Sequence, residues 1–286
     1  MPSLRQIRRR IRSVQNTGKL TKAMEMVAAA KMRRAQQAVL ATRPYATKMQ
    51  ELLTHLAAMP VDDPSEVHAL LQKRPIQKVE IIQITPDRGM CGALVGNLNR
   101  RTLSFMMEGQ NQGVAVTVGR KGRDFMVRLN REVRATFTGL GDRPQLIDTT
   151  PISRIVIDDY SSGFCDAVYL TYTEFVNTAV QHPVVRQLLP VQPAELPPGQ
   201  LTGYIYEPPS RDLLSALLPR IVQMQVYQAV LESNASEQSA RMVAMRNASD
   251  NARELVRELT LQANKARQAS ITGELLDIIG GSLTFQ

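Results

Sequence analysis

The sequence predicts an α/β protein in which the two ends of the chain form long helices paired as an antiparallel coiled coil, with a parallel α/β layer inserted between them. Three observations lead there. Apolar residues recur at spacings of three and four from Leu4 onward, the same spacing returns from Leu217 onward, and β-branched runs of strand length lie between.

The amino-terminal seam reads Leu4, Ile7, Ile11, Val14, then a weak patch at Gly18, Thr21 and Glu25, then Ala28, Met32, Ala35 and Val39. Around the weak patch the stripe is expected to slip to Leu20, Met24 and Val27, changing the local supercoil. Pro44 is expected to bend the helix, because it removes a backbone hydrogen bond. The stretch "SVQNTGKLTKAMEMVAAAKMRRAQQA", Ser13 to Ala38, has one acidic residue against five basic ones and fills its apolar positions mainly with Ala and Met. Ala, Met, Lys, Arg and Gln are strong helix formers, so this segment can be helical without a broad apolar face.

The carboxy-terminal seam runs Leu217, Ile221, Met224, Gln228, Leu231, Ala235, Gln238, Met242, Met245, Ser249, Ala252, Val256, Leu259, Ala263 and Ala266 without a slip. A helix from about 210 to 280 would be about 100 Å long, more than the width of a small domain, and so would protrude. Two such helices pair most simply with each other. Folding both into a bundle against the middle of the chain is the alternative.

Between the helices, "KVEIIQIT" (Lys78 to Thr85), "GVAVTVG" (Gly113 to Gly119) and "DAVYLTYTEF" (Asp166 to Phe175) read as strands. Helical stretches near Ala93 to Met107 and Pro151 to Tyr160 separate them, and strand-helix-strand alternation argues a parallel layer. "TGYIYEPP" is read as a further strand. The resulting division is 1–58 for the first helix, 76–207 for the α/β domain and 209–286 for the last helix.

Charge is unevenly placed. Residues 1–58 hold twelve Lys or Arg and only Glu25 and Glu51, whereas the remainder of the chain is nearly balanced, so the net +9 resides on the first helix. Such a field calls for an acidic partner: nucleic acid, anionic lipid or an acidic protein surface. The balanced second helix and the scarcity of aromatic residues, with no Trp, speak against nucleic acid.

Catalytic chemistry is not visible. Cys91 and Cys165 stand far apart and His55, His68 and His182 are scattered, which gives neither a zinc spacing nor a disulfide framework; the thiols are expected to be buried and reduced. "TPDRGMCGALVGN" follows a strand and opens a helix, but Gly89, Gly92 and Gly96 do not form a dinucleotide fingerprint, and "VGRKG" is no closer to a phosphate loop. Asp158 and Asp159 read as a solvated helix end. No apolar run reaches the roughly 18 residues of a membrane span.

Taken in order, these segments resemble the gamma subunit of the F-type ATP synthase. The resemblance rests on "IRSVQNTGKLTKAMEMVAAAKMRRAQ", on "TPDRGMCGALVGNLN", on "YIYEPP" and on "SEQSARMVAMRNASDNARELVRELTLQANKARQASITGELLDIIGG", and it covers nearly the whole chain. Departures are small: Leu20 stands where Ile is more usual, Asp277 is followed by Ile-Ile-Gly, and the extra segment with a Cys pair seen in photosynthetic relatives is missing. The resemblance implies a Rossmann-like α/β domain and a non-catalytic rotor shaft, without cofactor or metal, present once per complex. It implies contacts to the alpha and beta subunits of the catalytic head from Arg8, Arg9, Arg12, Met24, Lys31, Arg33, Arg34, Arg241, Arg267, Gln268, Thr272 and Glu274. Contacts to the epsilon subunit and the membrane c-ring would come from Tyr204, Tyr206 and Glu207, and an apolar tip from Leu275 to Phe285 would turn in an apolar sleeve. It also implies a peripheral location on the inner, cytoplasmic face of the energy-transducing membrane and no binding of nucleic acid.

Overall fold

Helix α1 runs from Leu4 to Ala57 and continues through Pro44. Helix α5 runs from Ser210 to Leu283 and continues through Pro219. The computed structural model describes residues 3–57, 68–108, 112–192 and 210–283, and the chain divides into two compact units. One comprises Met1–Ala28 with Arg241–Gln286, the other Ala29–Ala240. The strand read in "TGYIYEPP" lies outside the described residues.

In the first unit α1 and α5 pair in opposite directions. Ile7 packs with Leu259 and Ala263, joined by Leu4, Ile11, Val14, Leu255 and Ala266. Further along α1, a Cβ on Gly18 would come within 3.3 Å of the Ala252 Cβ, so this glycine marks a close approach of the two helices. The stripe does not slip. Leu20 and Val27 are 62% and 55% exposed, whereas Thr21 and Glu25 are buried in the original seam. The polar pair can hold the seam because Thr21 Oγ1 donates back to the Gly18 carbonyl at 3.1 Å and cations meet Glu25, so register outweighs the apolar gain a slip would bring.

The second unit is a three-layer α/β fold. Strands β1 (Lys78–Ile84), β2 (Gln112–Val118), β3 (Val133–Phe137), β4 (Ala167–Phe175) and β5 (Gln181–Leu189) lie in the order β3-β2-β1-β4-β5. The first four are parallel and β5 is antiparallel to β4. Helices α2 (Leu94–Glu108) and α3 (Arg120–Arg128) pack on one face through Met106 and Met126 against Val79, Ile81 and Ala115. On the other face α4 (Leu146–Ser161) brings Ile152, Val156 and Tyr160 onto Ile82, Val116 and Val168, and Leu218, Val222 and Val226 of α5 join the same core. Met49 and Leu53 of α1 complete it. Within this unit Ala35 and Val39 of α1 also pack with Leu231 and Ala235 of α5.

The glycines of "VGRKG" serve this packing. Gly119 has φ +93° and an added Cβ would sit 1.9 Å from the Thr85 carbonyl oxygen, while a Cβ on Gly122 would meet Gln83 and Thr85 below 3.0 Å. Thr85 Oγ1 accepts from the Gly122 N–H at 2.8 Å, which draws the start of α3 onto the end of β1. In the turn after β1, Met90 and Gly92 both take positive φ, so the run beginning "TPDRGMCG" builds a tight βα connection.

Candidate functional site

Along α1 the buried positions fix where the charges point. Ile7 is buried and Ile11 partly so, which leaves Arg8, Arg9 and Arg12 exposed on the remaining faces. Leu4 and Ala266 pack into one cluster, placing Arg267 and Gln268, both exposed, beside the amino-terminal turn of α1. Thr272 and Glu274 follow on α5 and are exposed, with Ser270 Oγ donating to Glu274 Oε1 at 3.2 Å. Met24 and Arg241 are half-buried. In the α/β unit, Arg33 and Arg34 are exposed, but Lys31 is engaged, its ammonium 2.7 Å from Asp142. Tyr204, Tyr206 and Glu207 lie outside the described residues, as do the last residues of the apolar tip.

Beside Gly18 the helix pair of the first unit leaves a groove of about 740 Å³. Its floor is apolar, from Val14, Ala252 and Val256, and Lys19, Lys22, Arg253 and Arg257 stand on its walls. An acidic, partly apolar surface suits such a groove. Next along the seam, Glu25 is the one acidic group of the basic stretch: Lys22 Nζ lies 2.9 Å from Oε2 and Arg246 Nε 3.3 Å from Oε1. The Lys22 hydrogen bond, with further pull from Arg246, holds the carboxyl below its ordinary range.

The α/β unit carries buried ionisable groups that packing explains. Glu80 on β1 is fully buried beside α4, and among the described residues its Oε1 has no hydrogen-bond partner. Burial, and then the neighbouring Asp159, push its carboxyl up to about 7. Asp159 accepts two hydrogen bonds from Arg134, at 3.0 and 3.1 Å, so only Asp158 of that acidic pair is a solvated helix end. The Cys165 thiol approaches Glu80 Oε2 at 3.7 Å, and burial drives its ionisation up and away from the reactive range. Cys91 is buried as well. Glu80 could have been noticed as a lone acid inside the apolar run "KVEIIQI"; Asp159 could not, because its partner Arg134 lies on a strand too short and polar to be read.

Among the described residues no cluster of His, Cys, Asp and Glu fits a metal ion. At the carboxyl ends of β1, β2 and β3, where open α/β sheets hold their ligands, the cleft has a volume of about 60 Å³ with Val230, Ser233 and Asn234 of α5 in its wall. A nucleotide or cofactor site needs roughly 300 Å³ or more. What the described residues offer is long helices with exposed cations on their surfaces.

Comparison with known proteins agrees with that. A family model described as ATP synthase matches residues 3–284. The ATP synthase gamma chain of Dehalococcoides mccartyi (strain CBDB1) is 58% identical over 282 residues, covering 99% of both chains. The gamma chain of Roseiflexus castenholzii (strain DSM 13941 / HLO8) is 51% identical over 286 residues, covering 99% of this chain and 98% of the relative. Among solved structures, a chain of the Euglena gracilis mitochondrial ATP synthase in an OSCP/F1/c-ring assembly aligns with a TM-score of 0.68 over 99% of this chain and 94% of that one, a likeness of fold at 22% identity.

Proposed function

The chain belongs to the ATP synthase gamma-chain family, and from that premise we propose which of its surfaces meet which partners. As a member it is a non-catalytic subunit and the central rotor shaft, coupling rotation to the conformational cycling of the catalytic subunits. It is peripheral to the membrane, and none of its described helices is long and apolar enough to cross one.

Arg8, Arg9, Arg12, Arg33 and Arg34 face acidic surfaces of the alpha and beta subunits, together with Met24 and, once it leaves Asp142, Lys31. Screened surface pairs of about 0–1 kcal/mol each can exchange as the shaft turns. Arg241, Arg267, Gln268, Thr272 and Glu274 form a hydrogen-bonding catch toward the same catalytic ring. Because the shaft offers a different face to each catalytic subunit, its differential contacts bias each site between open and closed states. The α/β domain, read as 76–207 between helical segments 1–58 and 209–286, sits on the c-ring with the epsilon subunit through Tyr204, Tyr206 and Glu207, on the inner face of the membrane.

The observation that carries this reading is that Arg8, Arg9 and Arg12, and further along α1 Arg33 and Arg34, are exposed while the apolar seam residues are buried. Reconstitution of the alpha and beta subunits with and without the chain tests it: cooperative multisite ATP hydrolysis should require the chain. Equal cooperativity without it would refute the reading.

A further inference from the structure

Helical serines and threonines usually turn their hydroxyls back onto their own helix, and several here do so. Thr42 donates to the Ala38 carbonyl, Ser153 to Thr149 and Thr260 to Val256. The serines of α5 that face the α/β sheet behave otherwise. Ser236 Oγ donates to the Thr173 carbonyl of β4 at 3.0 Å, and Ser239 Oγ donates to the Thr178 carbonyl in the turn after β4 at 2.7 Å. Both serines are 0% exposed. Gln181 Nε2 of β5 donates in turn to Ser239 Oγ at 3.4 Å.

The same stretch of α5 grips the segment before α4. Asn234 Nδ2 donates to the Asp142 carbonyl at 3.0 Å, and the Tyr227 hydroxyl donates to the Pro144 carbonyl at 3.3 Å. Asp142 also takes Lys31 of α1 on its carboxylate, so one short segment is tied to both helices. Ser233 Oγ is 3.5 Å from the Ile84 carbonyl, too long to count as a firm bond. All of these groups belong to the Ala29–Ala240 unit.

Serine is a poorer helix former than alanine, and apolar contact alone would bury this face. Apolar packing is non-directional and tolerates sliding; a hydrogen bond weakens steeply once its angle or length changes. Hydroxyls aimed at backbone carbonyls of β4 and of the turn after it therefore resist twisting of the helix against the domain in a way that Leu or Val would not. Their small size also lets the helix backbone lie close to the strand ends.

We infer that Asn234, Ser236 and Ser239 form the torque-bearing joint between α5 and the α/β domain, reaching the segment before α4, strand β4 and the turn after it, as positioning residues for rotary coupling and not merely part of a core. The inference rests on the reading that the α/β domain takes up rotation from the membrane ring.

The test uses the complete ATP synthase in membrane vesicles, carrying the triple variant Asn234→Ala, Ser236→Ala, Ser239→Ala. Val222→Ala, a fully buried core change without any of these hydrogen bonds, serves as the control for general destabilisation. ATP hydrolysis by the detached catalytic complex, which turns without load, should stay within about twofold of wild type for both variants. ATP-driven ion uptake per ATP hydrolysed should fall severalfold in the triple variant and remain at the wild-type ratio in Val222→Ala, with Ser236→Thr and Ser239→Thr on an otherwise wild-type chain keeping most of it. A triple variant that pumps at the wild-type ratio would overturn the joint, and so would an equal fall in Val222→Ala. Wild-type vesicles that hydrolyse ATP without uptake would instead remove the seating of the α/β domain on the ring, and the joint with it.

Discussion

In the α/β unit α5 turns Asn234, Ser236 and Ser239 toward backbone carbonyls, whereas in the helix-pair unit it turns Leu259 and Ala263 toward α1 and leaves Arg253, Arg257 and Arg267 exposed. One helix thus makes two kinds of contact. Where it meets its own domain, directional bonds, that of Ser236 fully buried, are added to apolar packing; where it faces outward the charges are solvated and can change partners at small cost. A rotor needs both, since the part that is driven must not slip on its mount and the part that drives its neighbours must let go of each in turn.

A charge placed on the seam, and then one residue away, separates the two kinds of contact by the largest margin. Ala28 is 1% exposed and Val27 is 55% exposed. Ala28→Glu should cost more than about 3 kcal/mol in urea unfolding of the full chain, because the charge would be buried without a partner. Val27→Glu should stay within about 0.5 kcal/mol. A larger loss at Val27 than at Ala28 would show that the stripe had slipped after all.

That pair also marks how far the sequence could be read. The spacing located the packed faces of both helices, because a 3-4 repeat over many turns is hard to produce by accident, although Leu217 and Ile221 of the second seam pack into the α/β core instead of onto α1. It misjudged the weak patch: Thr21 and Glu25 look like an interruption until Arg246, more than 200 residues on, is seen to approach from the facing helix. Strands β1, β2 and β4 were legible as β-branched runs, but β3 carries Arg134 and β5 carries Pro183 and Arg186, and at the edges of a sheet such residues are tolerated without an apolar signature. The outward basic face was legible from charge alone; the hydrogen-bonded joint was not, because a helical serine does not reveal whether it bonds inward or across.

Next in size is Glu80→Gln, which probes the directional interior through pH. The carboxyl ionises near 4.5 in the unfolded chain and near 7 in the folded one, so the unfolded state holds fewer protons between those values and stability falls as pH rises through that window. The variant should match wild type near pH 4 and exceed it by about 3 kcal/mol at pH 8, measured by denaturant unfolding at each pH. A gap independent of pH would contradict the assignment.

Glu25→Gln gives a smaller effect of opposite sign. The folded-state carboxyl is held below its ordinary 4.5, so its pairing with Lys22 and Arg246 stabilises the fold above that value and is lost as pH falls through the lowered one. Wild type should melt slightly above the variant at neutral pH, with the difference closing on acidification and shrinking in high salt. The smallest stability change belongs to Arg8→Ala with Arg9→Ala and Arg12→Ala: within about 0.5 kcal/mol for each site, because these side chains are exposed. The same triple change should weaken the salt sensitivity of the chain's stimulation of ATP hydrolysis, measured by titrating ionic strength in the reconstituted complex.

Releasable contact with the catalytic subunits is tested most directly by removing the release. Arg33→Cys or Arg34→Cys, each exposed on α1, can be joined by a disulfide to a cysteine placed on an adjoining beta subunit, and multisite ATP hydrolysis followed before and after reduction. The cross-linked complex should lose cooperative turnover, and a reductant should restore it. Full multisite turnover with the cross-link intact would contradict the requirement for release.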